Sequence, residues 1–403
     1  MPELTTPCYV YDLAEIRRSH VALSRNLPQP SEILYALKAN PHPDLVATLL
    51  GQGCRAEVSS PGELDAALRA GADARDVLYT GPAKRRQDLD TAITAGVRQF
   101  STDSAYAVRE LASVAADHGV ITRYLLRVNP ELAQSVAGLA MTGMASQFGA
   151  DEDAILTETD EFIRYPEAVF DGLHLYLATN MKDTESLMAQ FRVALKTALR
   201  VEKILGVRLN TLDLGGGFGA PYAVTGQVAA NDGLAEQLST ELDLTFPDWR
   251  EQQPLIIFES GRALVATSGK LLTRVLDVKR THGKRIVVLD SGIHQLGGMS
   301  GLRRVPPLRP DVLATASNAQ ELESAVVCGP LCTPLDRWSS DHPLPSVMPG
   351  DLLAVPNVGA YGLTASLALF LSHPMPVELV VDGSRVVSAT RLTTSRRAVE
   401  TPY

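Results

Sequence analysis

The sequence predicts an α/β protein, a (β/α)8 TIM barrel followed by a β-rich domain. Three observations lead there. Short apolar segments alternate with helical stretches up to about residue 260, eight such segments occur, and after Gly261 strand-forming segments dominate. The eight expected strands are Ile33–Ala39, Cys54–Ser59, Val77–Gly81, Gln99–Asp103, Thr122–Asn129, Asp171–Leu177, Leu209–Leu214 and Leu255–Glu259. Between them, Pro61–Ala70, Asp103–His118 and Lys182–Leu205 have helical spacing and helix-forming composition. Pro43 and Pro61 suit first helical turns, and Gly71, Gly96, Gly119 and Gly206 suit helix ends. A doubly wound open sheet is the alternative for such an alternation.

After Gly261 the expected strands are Lys270–Lys279, Arg285–Asp290, Glu321–Cys328, Asp351–Val355 and Val377–Val381. Asp382-Gly383 reads as a tight turn to Arg385–Ala389, and Gly362–Leu371 reads as a helix. Segments 306–310 and 339–349 are rich in Pro and Ser and read as exposed loops. The domains expected are residues 16–260 for the barrel and 261–403 for the β domain.

Composition narrows the function classes. The 403 residues are 45% apolar and 21% charged, which excludes a disordered or fibrous chain. A net charge of −9 argues against a general nucleic-acid-binding surface. No apolar run is long enough to span a membrane, and the N-terminus lacks a secretory pattern. Four cysteines are too few for a disulfide scaffold, so a cytoplasmic protein is expected. Cys8, Cys54 and Cys328 are read as buried structural residues; Cys328 and Cys332 lack further ligands nearby, so no metal site is expected.

Barrel chemistry sits at the C-terminal ends of the strands. Lys38 falls there, in an otherwise apolar run. It is either a lysine whose stem packs while its head reaches solvent, or an amine freed by desolvation for Schiff-base chemistry. The seventh strand runs into Gly215-Gly216-Gly217, where the backbone can approach an anion closely; a plain tight turn is the alternative. The eighth ends in Glu259-Ser260-Gly261-Arg262. Taken together, these residues suit pyridoxal 5'-phosphate, with its aldehyde on Lys38, its phosphate on the glycine loop and Arg262, and its ring nitrogen on Glu259.

Tyr35–Asn40, Leu214–Gly219, Glu259–Arg262, Cys328–Asp336 and Gly359–Tyr361 occur in the order seen in the fold-type III pyridoxal-phosphate decarboxylases. The chain resembles that diaminopimelate/ornithine/arginine decarboxylase family over about residues 5–390. The resemblance implies an alanine-racemase-like barrel plus a β domain joined by an N-terminal strand, here Tyr9–Tyr11 within residues 1–15. It implies that Lys38 is the Schiff-base lysine and that Gly215, Gly216 and Gly217, with Gly261, Arg262 and Tyr361, hold the cofactor. It also implies that Glu259 meets the pyridinium nitrogen and that Cys332, from the partner in a homodimer, protonates the substrate carbanion. Asp290-Ser291-Gly292 resembles a further segment near the active site.

Two departures bear on substrate. The family's His-X-Gly-Ser is here Tyr176-Leu177-Ala178-Thr179, which puts Tyr176 in the ring-stacking position and Thr179 near phosphate. His174, two residues earlier, is either adjacent to the active site or a satisfied barrel histidine. The acidic residue that usually follows the cysteine is replaced by Thr333, a poor partner for a distal ammonium. The pattern resembles a specialised subgroup from natural-product or siderophore pathways, acting on conjugated amino acids or on amino acids tethered to an acyl carrier protein. The reading is therefore a pyridoxal-phosphate-dependent carboxy-lyase. Its rivals are a diaminopimelate decarboxylase, an amino-acid racemase, a non-catalytic pyridoxal-phosphate-binding protein and a lysine-dependent aldolase. The racemases resemble the same plan but place an arginine at the ring nitrogen, where this chain has Glu259.

Overall fold

The computed structural model describes residues 5–130, 139–140, 146–297, 308–315 and 321–398. The chain divides into two compact units. One comprises residues 15–220 and 227–265, the other residues 1–14, 221–226 and 266–403.

The first unit is a closed parallel barrel. Its strands, in chain order, are Glu32–Ala36, Arg55–Val58, Leu78–Tyr79, Gln99–Thr102, Thr122–Asn129, Ala168–His174, Thr211–Asp213 and Leu255–Ser260. Each pairs in parallel with the next, and the eighth closes on the first through Ile257↔Glu32 to Ser260↔Tyr35. All eight strands fall on the expected segments; the open-sheet alternative would leave the first and last unpaired. The helices begin and end where the sequence signals lie. Ser60 accepts from the Glu63 amide ahead of Pro61–Arg69, and Gly96 and Gly206 end their helices with φ of +105° and +65°.

Strand alternation stacks the interior in layers. Leu34, Leu78, Leu125 and Ile257, from four strands, form one buried apolar cluster. Two residues further along the same strands come Ala36, Thr80, Arg127 and Glu259. Alternation therefore puts three polar residues, Thr80 just past its strand with Arg127 and Glu259, above the apolar cluster, toward the C-terminal mouth.

The second unit is a mixed sheet. The N-terminal strand Cys8–Asp12 lies antiparallel to Gly269–Thr281 and parallel to Val377–Asp382. Val377–Asp382 turns through Gly383 into Arg385–Thr390, as the Asp-Gly signal indicated. Two expectations are corrected here. The segment read as a loop at 339–349 contains most of a strand, Arg337–Leu344, paired with Glu323–Cys328. It lies at the sheet edge, where Pro343 is tolerated because one side makes no ladder bonds. Gly362–Leu371 is not an α-helix; it holds the short 3-10 turn Leu363–Ala365 and the start of another, Phe370–Ser372. Leu371 and Ser372 take φ of +57° and +58°, which stops helix propagation. Of the loop expected at 306–310, residues 306–307 lie outside the described residues. No helix among the described residues is long and apolar enough to cross a membrane.

Tyr9 is the anchor of the N-terminal strand. It is fully buried, its hydroxyl donates to the Gln295 carbonyl at 2.6 Å, and its ring stacks on Tyr11. Tyr9→Ala is expected to cost about 3–5 kcal/mol, and Tyr9→Phe about 1–2 kcal/mol for the orphaned carbonyl. Urea unfolding of the two variants beside the parent measures both.

Candidate active site

Lys38 is carried by a single 3-10 turn, Leu37–Ala39, immediately after the first barrel strand. This corrects the expectation that it lies within the strand. Leu37 and Ala39 are buried while Lys38 is exposed, so the turn lifts the lysine out of the packed layer. The Tyr35 hydroxyl closes the turn by donating to the Asn40 carbonyl at 2.7 Å. Gly261 lies against it: a Cβ there would stand 2.7 Å from Ala39 Cβ and 3.0 Å from the Ala36 carbonyl oxygen. The exit of the eighth strand is thus pressed onto the lysine's turn, and only glycine fits. Lys38 Nζ lies 3.4 Å from Glu57 Oε2 and 5.7 Å from the centre of the Tyr176 ring.

The glycine loop follows the seventh strand. A Cβ on Gly216 would fall 2.0 Å from the Glu259 carbonyl oxygen, and one on Gly217 2.3 Å from Met181 Cε. The loop carbonyls face the protein: those of Gly215, Gly216 and Gly217 accept from Glu259 N, Gln190 Nε2 and Met181 N at 2.7, 2.5 and 2.8 Å. The amides of Gly216 and Gly217 have no hydrogen-bond partner among the described residues. Side chains absent and amides unspent is the condition of an anion cradle. Tyr176 lies beside it, since a Cβ on Gly215 would meet Tyr176 Cδ2 at 2.7 Å. Thr179 ends a two-residue strand, and Arg262 opens the short helix Arg262–Val265 after Gly261.

At the base of the site is a buried ionisable cluster. His174 Nδ1 is 2.9 Å from Ser101 Oγ, and His174 Nε2 is 3.5 Å from Glu259 Oε1. Asp213 Oδ1 accepts from the Gly215 amide at 2.8 Å. One ligand atom from each of His174, Asp213 and Glu259 lies within 4.8 Å of the others. Burial holds His174 well below its ordinary range, reinforced by the charges of Arg127, Lys38 and Lys84. It pushes Asp213 up to about 7 and Glu259 well above the carboxylate range, Glu57 and Asp213 adding repulsion to the latter. His174 is thus both held by a hydrogen bond to Ser101 and a member of the cluster, so its two readings are not exclusive.

Arg127 and Glu57 act on this cluster through their charges and Asp213 belongs to it, and none of the three was singled out from the sequence as a site residue. Arg127 Cζ is 4.6 Å from the Phe148 ring centre and 5.9 Å from that of Tyr176. Glu57 accepts from Thr80 Oγ1 as well as meeting Lys38. The signal was available: each is a charged residue in a short barrel strand, the feature that drew attention to Lys38. Cys332 and Tyr361 belong to the β unit. Cys332 is exposed, and the Tyr361 carbonyl accepts from the Tyr222 hydroxyl at 2.9 Å. Cys8 and Cys54 are buried as expected, but Cys328 is only half-buried, because it ends its strand at the loop that carries Cys332.

Comparison with known proteins decides the family. Residues 13–266 match the pyridoxal binding domain of the pyridoxal-dependent decarboxylases. The chain belongs to that family. It is 30% identical over 380 residues to the L-glutamyl-[BtrI acyl-carrier protein] decarboxylase of Niallia circulans, covering 93% of this chain and 88% of the relative. It is 28% identical over 375 residues to the 2-[(L-alanin-3-ylcarbamoyl)methyl]-2-hydroxybutanedioate decarboxylase of Staphylococcus aureus, covering 91% and 92%. Among solved structures, diaminopimelate decarboxylase from Helicobacter pylori complexed with L-lysine aligns with a TM-score of 0.81 at 26% identity, covering 95% and 93%. The protein is a pyridoxal-phosphate-dependent amino-acid decarboxylase with the alanine-racemase-like barrel of its family, and pyridoxal 5'-phosphate is its cofactor.

The residues present fit that cofactor. The unpartnered amides of Gly216 and Gly217 suit its phosphate, and Glu259 Oε1, buried without a hydrogen bond, suits a protonated ring nitrogen. The raised Asp213 carboxyl has a pH consequence. An Asp whose folded pKa is raised binds more protons folded than unfolded, so its contribution is lost as pH rises from about 3.8 to about 7. Asp213→Asn keeps the acceptor for Gly215 without that loss. The variant's melting temperature, measured without cofactor, is expected to climb relative to the parent between pH 4 and 7. A pH-independent difference would contradict the assignment.

Proposed function

We propose that this enzyme decarboxylates a conjugated or carrier-tethered amino acid, with Lys38, Glu259 and Cys332 as the residues that act on cofactor and substrate. The single observation that carries the substrate class is Thr333 directly after Cys332, in place of an acidic residue. A threonine hydroxyl does not balance a distal ammonium. The relative acting on an L-glutamyl-[BtrI acyl-carrier protein] supports the same reading.

When bound, pyridoxal phosphate supplies an electron sink for the pair left behind as the α-carboxylate departs. The chain's residues supply the rest. Lys38 would hold the cofactor through its amine, its position set by the 3-10 turn and Glu57. Gly215, Gly216 and Gly217 bind the phosphate through their backbone, with Thr179, Arg262 and Tyr361 assisting. Glu259, with His174 at its back, would pair as a carboxylate with the protonated ring nitrogen. Tyr176 would cover the ring face. Cys332 delivers the proton to the α-carbon, and it comes from a second copy of the chain, so the working unit is a homodimer. Residues 16–260 form the cofactor-binding domain, and residues 1–15 and 261–403 the domain that supplies Cys332. Four free cysteines, two of them buried, support residence in a reducing cytoplasm.

The test is carbon dioxide release in D2O with NMR of the product. The panel holds an L-glutamyl thioester of an acyl carrier protein, free L-glutamate, meso-diaminopimelate, L-lysine and L-ornithine. Release from the thioester with one deuterium at the former α-carbon is expected. Release from meso-diaminopimelate alone would replace the substrate reading, and α-deuteration without release would mean racemisation. Lys38→Ala is expected to abolish the long-wavelength absorption of the lysine-bound cofactor. Cys332→Ala is expected to keep that absorption and cut turnover about a hundredfold, to a measurable residual rate.

A further inference from the structure

We propose that Asp336 is a positioning residue for Cys332, stapling the loop that presents the thiol to the Ser291–Ile293 segment. The inference rests on Cys332 acting as the proton donor described above. All its geometry lies within the β unit.

Cys332 is exposed between two buried residues, Leu331 and Asp336, which are 7% and 3% exposed. Every polar group of Asp336 is used. Oδ2 accepts from the Leu331 amide and Oδ1 from the Ile293 amide, both at 2.8 Å. Its carbonyl accepts from the Gly329 amide at 3.1 Å, and its own amide donates to the Thr333 carbonyl at 3.2 Å. The carboxylate thus bridges two stretches of chain that are far apart in sequence. One bond lands on the residue directly before Cys332.

Two glycines make room for it. A Cβ on Gly292 would lie 2.3 Å from an Asp336 carboxylate oxygen, and one on Gly329 2.2 Å away. An apolar side chain would fill this space without the desolvation cost of a carboxylate, but it would leave two buried amides unpaired. What the carboxylate provides is a fixed distance between the thiol's loop and the Ser291–Ile293 segment. Proton transfer demands such a distance, because reach for a general acid is a matter of tenths of an ångström.

The test is a double-mutant cycle on the holoenzyme. Asp336→Asn keeps the shape but turns an NH2 toward one of the two amides, so one staple is lost. With the panel compound that releases most carbon dioxide, kcat is expected to fall about tenfold to a hundredfold. KM and cofactor absorption are expected to hold. In a Cys332→Ala background, Asp336→Asn is expected to cause no further loss, because its effect runs through the thiol. A second measurement needs no substrate: iodoacetamide alkylation of Cys332, followed by peptide mass, is expected to change several-fold in Asp336→Asn. If Asp336→Asn fails to fold, Gly329→Ala displaces the carboxylate sterically and is expected to give the same pattern. An equal loss of kcat in both backgrounds would overturn the proposal, as would unchanged kcat with unchanged alkylation. Full turnover in Cys332→Ala alone would instead remove the cysteine from the mechanism and the positioning role with it, which the single variant reveals by itself.

Discussion

The carboxyl of Glu259, buried near the barrel axis, is the group around which the site is arranged. A carboxylate there has lost its water, and its neighbours Glu57 and Asp213 are acids as well. The structure meets that cost in two ways. Burial shifts protons onto Glu259 and Asp213 and off His174, which lowers the number of formal charges. Lys38, on its turn, and Arg127, on the fifth barrel strand, supply the opposite charge. The same arrangement suits a protonated ring nitrogen as partner, since it would meet an acid that has no other hydrogen bond at Oε1. Cofactor binding and the balance of buried charge are therefore one problem with one solution.

Backbone contact rather than side-chain contact sets the precision of the rest. The glycine loop is tied by its carbonyls to Glu259, Gln190 and Met181 and by the Gly215 amide to Asp213, while the amides of Gly216 and Gly217 have no hydrogen-bond partner among the described residues. Gly216 approaches the Glu259 backbone, and Gly261 approaches the turn of Lys38. The glycine loop, Glu259 and the turn of Lys38 are thus connected through main-chain packing. A Cβ at either glycine would disturb more than its own position. The Cys332 loop repeats the device with Gly292 and Gly329 around Asp336.

Much of this was legible along the chain. The eight barrel strands announced themselves because parallel strands buried on both faces are short apolar runs between helices. Lys38, the triple glycine and Glu259 stood out as exceptions within that pattern. Arg127 and Glu57 are exceptions of the same kind, yet a charged residue in a strand is silent about which face it takes until the strand's limits are known. The edge strand Arg337–Leu344 was hidden by its Pro and Ser content, because an edge position relaxes the rules that identify a strand. The helix expected at Gly362–Leu371 failed for the converse reason: local propensity was overridden by a positive φ at Leu371.

By itself, then, the sequence determined the barrel, the β domain and the cofactor class, since these depend on periodicity and on local exceptions to it. Only the tertiary structure decided that His174 backs Glu259, that Asp213 shares its burial, that Lys38 rides on a turn rather than a strand, and that Asp336 ties the Cys332 loop to Ile293. Those are relations between segments far apart in sequence. They are set by distances that open only when the barrel closes and the sheet pairs.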